Sequence, residues 1–224
     1  MFGRRGLSAR LRLICSAACL QATGDGEKLR KVLSLAICDN KSLSLHYEIL
    51  LQGYLFSGYP KAIESFFALN DVLTAKGLSL DKRETARLEP ADELMAKGLA
   101  MAEKVHRDKL RKIHNKINAI SPDLGYLMIV EGYGNIISRQ GADLKTRELA
   151  VVSSLTASGS IRQLNSHIRG ARNVGCDINE ILEAILTCLL WTKPAVVQMA
   201  ADAWALIATR PKVDISAEYS NYCV

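Results

Sequence analysis

Two side chains in the second half of the chain could exchange protons. Glu148 lies in an otherwise apolar helical stripe, and His167 lies in a second stripe 19 residues later. A carboxylate in such a place suits general acid or base chemistry, unless Arg147, Arg162 or Arg169 pairs with it and simply stabilises the helices. An inward histidine is equally compatible with a hydrogen-bonded core residue. The pattern therefore predicts either an acid–base pair or a buried structural pair.

Metal and disulfide chemistry are not favoured by the residues that usually carry them. The four histidines are far apart in sequence, and none stands four residues from another histidine or a cysteine. The six cysteines include no CxxC pair and lack the density of a disulfide framework. We therefore expect reduced thiols and no metal. His106 and His114 lie among lysines and arginines and are expected to be surface residues without a role.

The net charge of +6 does not indicate a nucleic-acid-binding surface. Four arginines precede the first acidic residue, Asp25, so 6 minus 4 leaves only +2 for the rest of the chain, where both signs are interspersed. No basic motif is interleaved with aromatic residues. Charged residues interrupt every apolar run after Asp25 before it reaches the roughly 20 residues that span a bilayer. We expect neither nucleic acid nor a membrane as a partner.

The first 24 residues are rich in arginine, free of acids and contain the segment LRLICSAACL. These features are typical of a mitochondrial presequence or a weak secretory signal, but an upstream start that adds a disordered extension fits equally well. We expect residues 1–24 to be a leader or a disordered extension. The compartment is then cytoplasmic, or mitochondrial or exported if the segment is a targeting signal.

Apolar residues recur at intervals of three and four, and aromatic residues make up only 6% of the chain, so the sequence predicts an all-α protein. Glycine and proline positions and one capping box set the expected helix ends. The expected helices run over about 28–36, about 44–56, from Pro60 onward, from Ala91 as one long charged helix, over about 124–138, up to Gly159, up to Gly175, from the Asp177–Glu180 capping box, and from Pro194 to about Thr209.

The chain also resembles itself. Aligning Pro60 with Pro194 superimposes apolar positions of the two helical hairpins. Arg30 lies 30 residues before Pro60, whereas Arg147 lies 47 before Pro194, so the first half is expected to be shorter by 17 residues, about one helix. The missing helix would be the one that carries His167. The predicted divisions are a leader at 1–24, a truncated half-repeat at 25–79, a charged linking helix at 80–119, a main domain at 120–210 and a tail at 211–224.

Residues 124–208 resemble the carboxymuconolactone decarboxylase family. The resemblance lies in the Arg-Glu-Leu run at 147–149, the His-Ile-Arg-Gly-Ala run at 167–171, Gly175, and the Glu-Ile pair at 180–181. It implies an alkylhydroperoxidase D-like helical bundle, here with two imperfectly repeated halves, and assembly into a homo-oligomer, a trimer or a hexamer.

In the alkylhydroperoxidase D branch of this superfamily, a Glu, a CxxC pair and a His pass protons to a cysteine that reduces peroxide. Glu148 and His167 have the spacing of that pattern, but the two cysteine positions fall on Ser160 and Gln163. Without a nucleophilic thiolate and its resolving partner, peroxidase chemistry of this kind has no carrier. Cys176 and Cys188 are nearby in sequence and are expected to be structural.

The resemblance to the decarboxylase branch, for which no metal or organic cofactor is implied, predicts a cofactor-free lyase or isomerase acting on a small carboxylated or lactone substrate. His167 would be the proton shuttle and Glu148 its partner. Arg162 or Arg169 would hold the substrate carboxylate, Ser160 and Gln163 would line the pocket, and Tyr133 would face it. Two alternatives stay open, a thiol peroxidase and a non-catalytic helical scaffold.

Overall fold

In the computed structural model, which describes residues 4–80 and 89–222, the protein is all-α, with no strand in these two ranges. This agrees with the fold class predicted from the sequence. The helices, numbered along the chain, are α1 (Ala9–Thr23), α2 (Gly26–Ala36), α3 (Asn40–Gln52), α4 (Tyr54–Ser57), α5 (Tyr59–Lys76), α6 (Ala91–His106), α7 (Leu110–Asn118), α8 (Pro122–Leu127), α9 (Leu144–Ser158), α10 (Ile161–Asn173), α11 (Ile178–Thr187), α12 (Pro194–Ala208) and α13 (Ile215–Tyr222).

The chain divides into two compact units, one made of residues 1–79 and 141–224 and the other of residues 80–140. In the first unit α1 and α9 pack along each other, and the remaining helices surround this pair. Every residue of α9 from Thr146 to Thr156 is buried, polar ones included. The helix is therefore buried on all sides and is not the one-sided amphipathic helix that its apolar stripe predicted.

The prediction of a disordered extension at residues 1–24 is wrong for α1. Residues 12 and 14–22 of this helix are all buried, and Ile14 and Leu20 are fully so. The side chain of Ser8 caps the start of the helix, and Gly24, in the left-handed conformation at φ 83°, ends it. The composition of this segment gave the wrong prediction, because a buried helix without acidic residues contains the same residue types as a targeting peptide.

Two buried arginines connect α1 and α9 to the rest of this unit. Arg12 of α1 binds Glu183 of α11 at 2.7 Å, and Arg147 of α9 binds Glu48 of α3 at 3.1 Å. Both guanidinium groups are fully buried, and the two carboxylates are almost so. Arg147 also donates to the side-chain oxygen of Gln52 at 3.0 Å, so its buried charge is compensated by several partners.

The end of the chain also belongs to this unit, which corrects the expected tail at 211–224. Helix α13 follows α12, and Ile215 at its start is 4% exposed. The side chain of Glu218 binds Arg4, and Arg4 also binds Glu183 at 2.8 Å. Residues near the two chain ends are thus joined by the Arg4–Glu218 ion pair, and Arg4 is also held by the buried carboxylate of Glu183.

In the second unit, α6 packs along the segment Met128–Ile137, which is a π-helix. The two backbones approach so closely that a Cβ on Gly98 would lie 2.1 Å from the carbonyl oxygen of Ile129. A side chain there is excluded, and glycine permits the close crossing. The sequence predicted an ordinary helix over about 124–138, but α8 is short and the chain then widens into the π-helix.

The single linking helix expected from Ala91 to residue 119 is also divided. Arg107 has a positive φ of 48°, which ends α6, and a short 3-10 turn at Arg107–Lys109 leads into α7. The beginning of the predicted linking segment, residues 81–88, lies outside the described residues. A run of charged residues with good helix propensity cannot reveal such a break, since propensity reports each residue separately.

Candidate active site

Glu148 and His167 form a buried hydrogen-bonded pair. Nδ1 of His167 lies 3.0 Å from Oε2 of Glu148, and the two residues are 8% and 2% exposed. A carboxylate can only accept, so an ionised Glu148 fixes the tautomer of His167 that carries its proton on Nδ1. Nε2 is then the nitrogen that can take up or release a proton. The sequence spacing predicted the pairing of these two residues, and the geometry brings them together.

Local signals in the sequence place the two residues. Asp143 caps the first turn of α9 by accepting from the backbone N–H of Thr146 at 2.8 Å. At the other end Gly159 takes the left-handed conformation and turns the chain directly into α10. The tight connection makes α9 and α10 neighbours, so that His167, which lies two turns into α10, reaches Glu148.

The aromatic ring that contacts His167 comes from the other half of the sequence. Phe56 of α4 lies edge-on to the imidazole, with ring centroids 5.4 Å apart and planes 87° apart. Sequence reasoning missed this residue. No pattern around Phe56 points to the site, because its nearness to His167 depends on how α4 packs against α9.

The arginines of the region do not join the pair. Arg147 faces Glu48 and Gln52, not Glu148. Arg162 and Arg169 are exposed, and at 100° per residue they stand roughly 140° and 160° around α10 from His167. Arg169 donates to the carbonyl oxygen of Asn165 in its own helix. Within this chain neither arginine is placed to hold a substrate carboxylate beside the imidazole.

Ser160 and Gln163 lie at the start of α10 and are exposed. Gln163 precedes His167 by one turn, about 40° away around the helix, and so lies on the same side. Ser160 is bonded to the hydroxyl of Ser158 at 2.9 Å. Both residues therefore remain candidates to line an approach to His167.

Tyr133 belongs to the second unit and has a partner there. Its hydroxyl lies 2.6 Å from Nε2 of His106, and the two residues are 7% and 6% exposed. The prediction that His106 is a surface residue is therefore wrong. Its charged neighbours in sequence face solvent, while the histidine itself turns inward to a tyrosine that is distant in sequence. His114 is partly exposed and lies 3.5 Å from the amide nitrogen of Asn118.

The thiols near the pair are poor nucleophiles. Burial raises the pKa of Cys176 to about 12, with Glu180 and Glu148 adding to the rise and Lys145 opposing it. Burial also raises the pKa of Cys15 to about 12 and that of Cys188 well above its usual value. Cys15, Cys19 and Cys188 lie near one another in the interior and are unbridged. These environments disfavour the thiolate that peroxide reduction needs.

No three His, Cys, Asp or Glu side chains in the described parts of the chain converge as they would around a metal ion. Among those same residues, no helix is both long and apolar enough to cross a membrane.

Comparison with known protein families gives a match over part of the chain. Residues 126–205 match the profile of the carboxymuconolactone decarboxylase family. This match covers part of the chain and agrees with the resemblance to the family that residues 124–208 carry. The matched segment includes Glu148, His167, Ser160 and Gln163.

A curated relative is Peroxisomal protein 2 of Saccharomyces cerevisiae, which is 26% identical over 108 residues. The alignment covers 48% of this chain and 38% of the yeast protein. The chain therefore matches well under two thirds of its relative's length.

Proposed function

We propose that this protein is a cofactor-free acid–base lyase or isomerase acting on a small carboxylated or lactone substrate. The observation that carries the proposal is the buried hydrogen bond between Glu148 and His167, within a segment of the carboxymuconolactone decarboxylase family. A carboxylate and an imidazole in contact at 3.0 Å are a common arrangement for moving protons, because the carboxylate stabilises the protonated ring.

In the proposed mechanism Nε2 of His167 takes a proton from, or returns one to, a carbon beside the substrate carbonyl. Glu148 holds Nδ1 and stabilises the imidazolium that forms. Phe56 restricts the tilt of the ring from one side. Ser160 and Gln163, on the open side of α10, are proposed to contact the substrate. Tyr133, Arg162 and Arg169 are not needed for this step.

The alternative of a thiol peroxidase is weaker. Ser160 and Gln163 occupy the positions of the CxxC pair in the resembling branch, and the raised pKa values of Cys15, Cys176 and Cys188 oppose thiolate formation. A non-catalytic scaffold, in which Glu148 and His167 only stabilise the helices, is the third alternative.

Activity on panels of small lactones, keto acids and organic hydroperoxides tests these three functions. We expect turnover of a lactone or keto acid by the natural protein and a loss of about 10²- to 10⁴-fold in kcat/KM for His167→Ala and Glu148→Ala. His114→Ala, a histidine outside the pair, is the matched control and keeps full activity. Peroxide turnover that survives both changes would establish the peroxidase, and inactivity of folded natural protein on every substrate would favour the scaffold.

We also propose that the two halves of the first unit are full repeats of one another. Helices α1 and α9 have the same length. The start of α1 at Ala9 lies 135 residues before the start of α9 at Leu144. The same interval separates the starts of α2 and α10 and the starts of α5 and α12. The same interval relates the two buried arginines, and it relates Glu48 to Glu183, so that each half supplies the carboxylate for the other half's arginine. In this register the first half lacks no helix, because α1 corresponds to α9 and α2 corresponds to α10, the helix that carries His167.

We propose a homo-oligomer, a trimer or a hexamer, as the working assembly. Support comes from α5, where Tyr59, Ile63 and Phe67 recur every four residues and are 64%, 51% and 61% exposed. Light scattering on the purified protein tests the proposal. A mass of three or six chains is expected, and a stable monomer would contradict it.

The cytoplasm is the proposed location, and the name of the yeast relative makes the peroxisome the first alternative to examine. Microscopy of the full chain, tagged in turn at each end, distinguishes the two.

A further inference from the structure

A cavity of about 360 Å³ opens between α1, α2 and the start of α3, away from the residues of the proposed active site. Its size is within the range of small-molecule sites in proteins. Leu13, Leu35 and Ala36 form its apolar walls, and Arg10, Lys41 and His46 supply polar groups. No residue of the Glu148–His167 pair lines it.

In the proposed repeat this cavity includes Leu13, the counterpart of Glu148 in the first half. The interval of 135 residues relates Leu13 to Glu148 and Val32 to His167. Both catalytic side chains are thus replaced by apolar ones, and the cavity cannot perform the acid–base chemistry proposed for the second half. In that half, the position of Arg10 is held by Lys145, which is paired with Glu180 at 2.7 Å.

The cavity is lined by more positive than negative charge, because Arg10 and Lys41 are there with one carboxylate, that of Asp39. No carboxylate of the described chain lies within 4 Å of the charged atoms of Arg10 or Lys41. Asp39 also lines the cavity, but its carboxylate is engaged in capping α3, where it accepts from the backbone N–H of Ser42 at 2.7 Å and from its hydroxyl at 2.8 Å. Two cations and one carboxylate leave a net positive charge on the cavity lining, which favours an anionic ligand.

His46 adds a hydrogen-bond acceptor of defined orientation. The residue is 2% exposed, and its Nδ1 lies 2.8 Å from the carbonyl oxygen of Ser42. A carbonyl can only accept, so Nδ1 carries the proton and Nε2 presents a lone pair. Burial, with Arg10 nearby, lowers the pKa of His46 and keeps the ring neutral. Nε2 is buried without any hydrogen-bond partner, which is unfavourable for a polar atom until a donor reaches it.

We propose that this cavity binds a small hydroxycarboxylate as a non-catalytic ligand. Its carboxylate lies against Arg10 and Lys41, its hydroxyl donates to Nε2 of His46, and its carbon chain contacts Leu13 and Leu35. The cavity thereby differs from the proposed active site both in place and in the chemistry it offers.

Calorimetric titration of the full-length protein with malate and with succinate, which differ by one hydroxyl, tests the proposal. We expect saturable binding of malate at about 1 mM or tighter and at least tenfold weaker binding of succinate. The Arg10→Gln and Lys41→Gln double variant loses at least tenfold for malate. His46→Leu abolishes the preference for malate over succinate, because the acceptor is gone.

His167→Ala is the control, since it removes the proposed catalytic base and leaves the cavity intact. Malate binding that is unchanged in this variant supports a separate site, whether or not the protein proves to be an enzyme. Malate binding that disappears in it places the ligand at Glu148 and His167 and overturns the proposal. Equal affinity for malate and succinate in the natural protein, or no binding of either, also overturns it. Exposed Lys41→Gln alone provides a variant expected to stay folded, with a smaller loss in the same direction.

Discussion

At the scale of single residues, the partner of a buried titratable group decides whether the group can transfer a proton or only stabilises the fold. Glu148, Arg147, His46 and His167 are all nearly inaccessible, yet only Glu148 and His167 are paired with each other in a way that can transfer a proton. Arg147 is fully committed to Glu48 and Gln52. The neighbouring positions 147 and 148 on α9 thus have different functions, one structural and one proposed to be catalytic.

His46 should make the protein less stable in acid. Its pKa is lowered in the folded state, chiefly by burial, from a value near 6.5 when unfolded. Below about pH 6.5 the unfolded chain therefore binds a proton that the folded chain does not, and the free energy of unfolding falls by up to about 1.4 kcal/mol per pH unit from this group. Arg10 opposes protonation in the fold, and Asp39 is occupied as a cap.

Urea unfolding at pH 7.5 and pH 5.5 measures this effect. His46→Gln is expected to show a smaller loss of stability between the two pH values than the natural protein, because glutamine does not titrate. An identical loss in both proteins would show that other groups dominate the acid sensitivity.

At the scale of helices, buried ion pairs join elements that are far apart in the sequence. Arg147→Met leaves the carboxylate of Glu48 buried without its guanidinium, and we expect a loss of about 3–5 kcal/mol in the free energy of unfolding. The double variant Arg147→Met, Glu48→Leu is expected to lose clearly less, since no charge is left unpaired. Lys31→Met, which removes a pair with Glu27 that is 71% exposed on both sides, should change the free energy of unfolding far less, because solvent screens the pair. Chemical denaturation of the four proteins checks the order.

Gly159 controls the turn that brings α10 back onto α9. It has φ 67°, and a Cβ there would meet only Val196 Cγ1 at an ordinary 3.7 Å, so Gly159→Ala tests backbone conformation without a clash. We expect a loss of about 1 kcal/mol in the free energy of unfolding. Gly26→Ala is the control, because Gly26 has no positive φ and open space around it, and the change should be neutral or slightly stabilising. Equal effects of the two changes would contradict this role of Gly159.

At the scale of the whole molecule, α1 is a central part of the first unit. A chain that begins at Asp25 lacks α1, the helix that packs along α9. It also lacks Arg12, the buried partner of Glu183. We expect this shortened chain to lose cooperative thermal unfolding, as followed by circular dichroism. A shortened chain that still unfolds cooperatively would show that the helix is dispensable and would restore the interpretation of residues 1–24 as a leader.

The sequence by itself determined the fold class, most helix ends and the two residues of the candidate pair. Apolar periodicity, the glycine at 159 and the capping box of Asp177 and Glu180 act within a few residues, so they can be recognised without a structure. The spacing of Glu148 and His167 predicted their contact through a resemblance to a family whose match is now established.

Only the tertiary structure decided which neighbours the buried charges have. Arg147 pairs with a carboxylate 99 positions away, Phe56 reaches His167 from the other half, and His106 turns inward among charged neighbours. The composition of residues 1–24 predicted a segment outside the folded domain, although α1 lies at the centre of the first unit. Such outcomes depend on how helices pack, and packing is set by the shapes of surfaces that are distant in sequence and leave no periodic signal in any one segment.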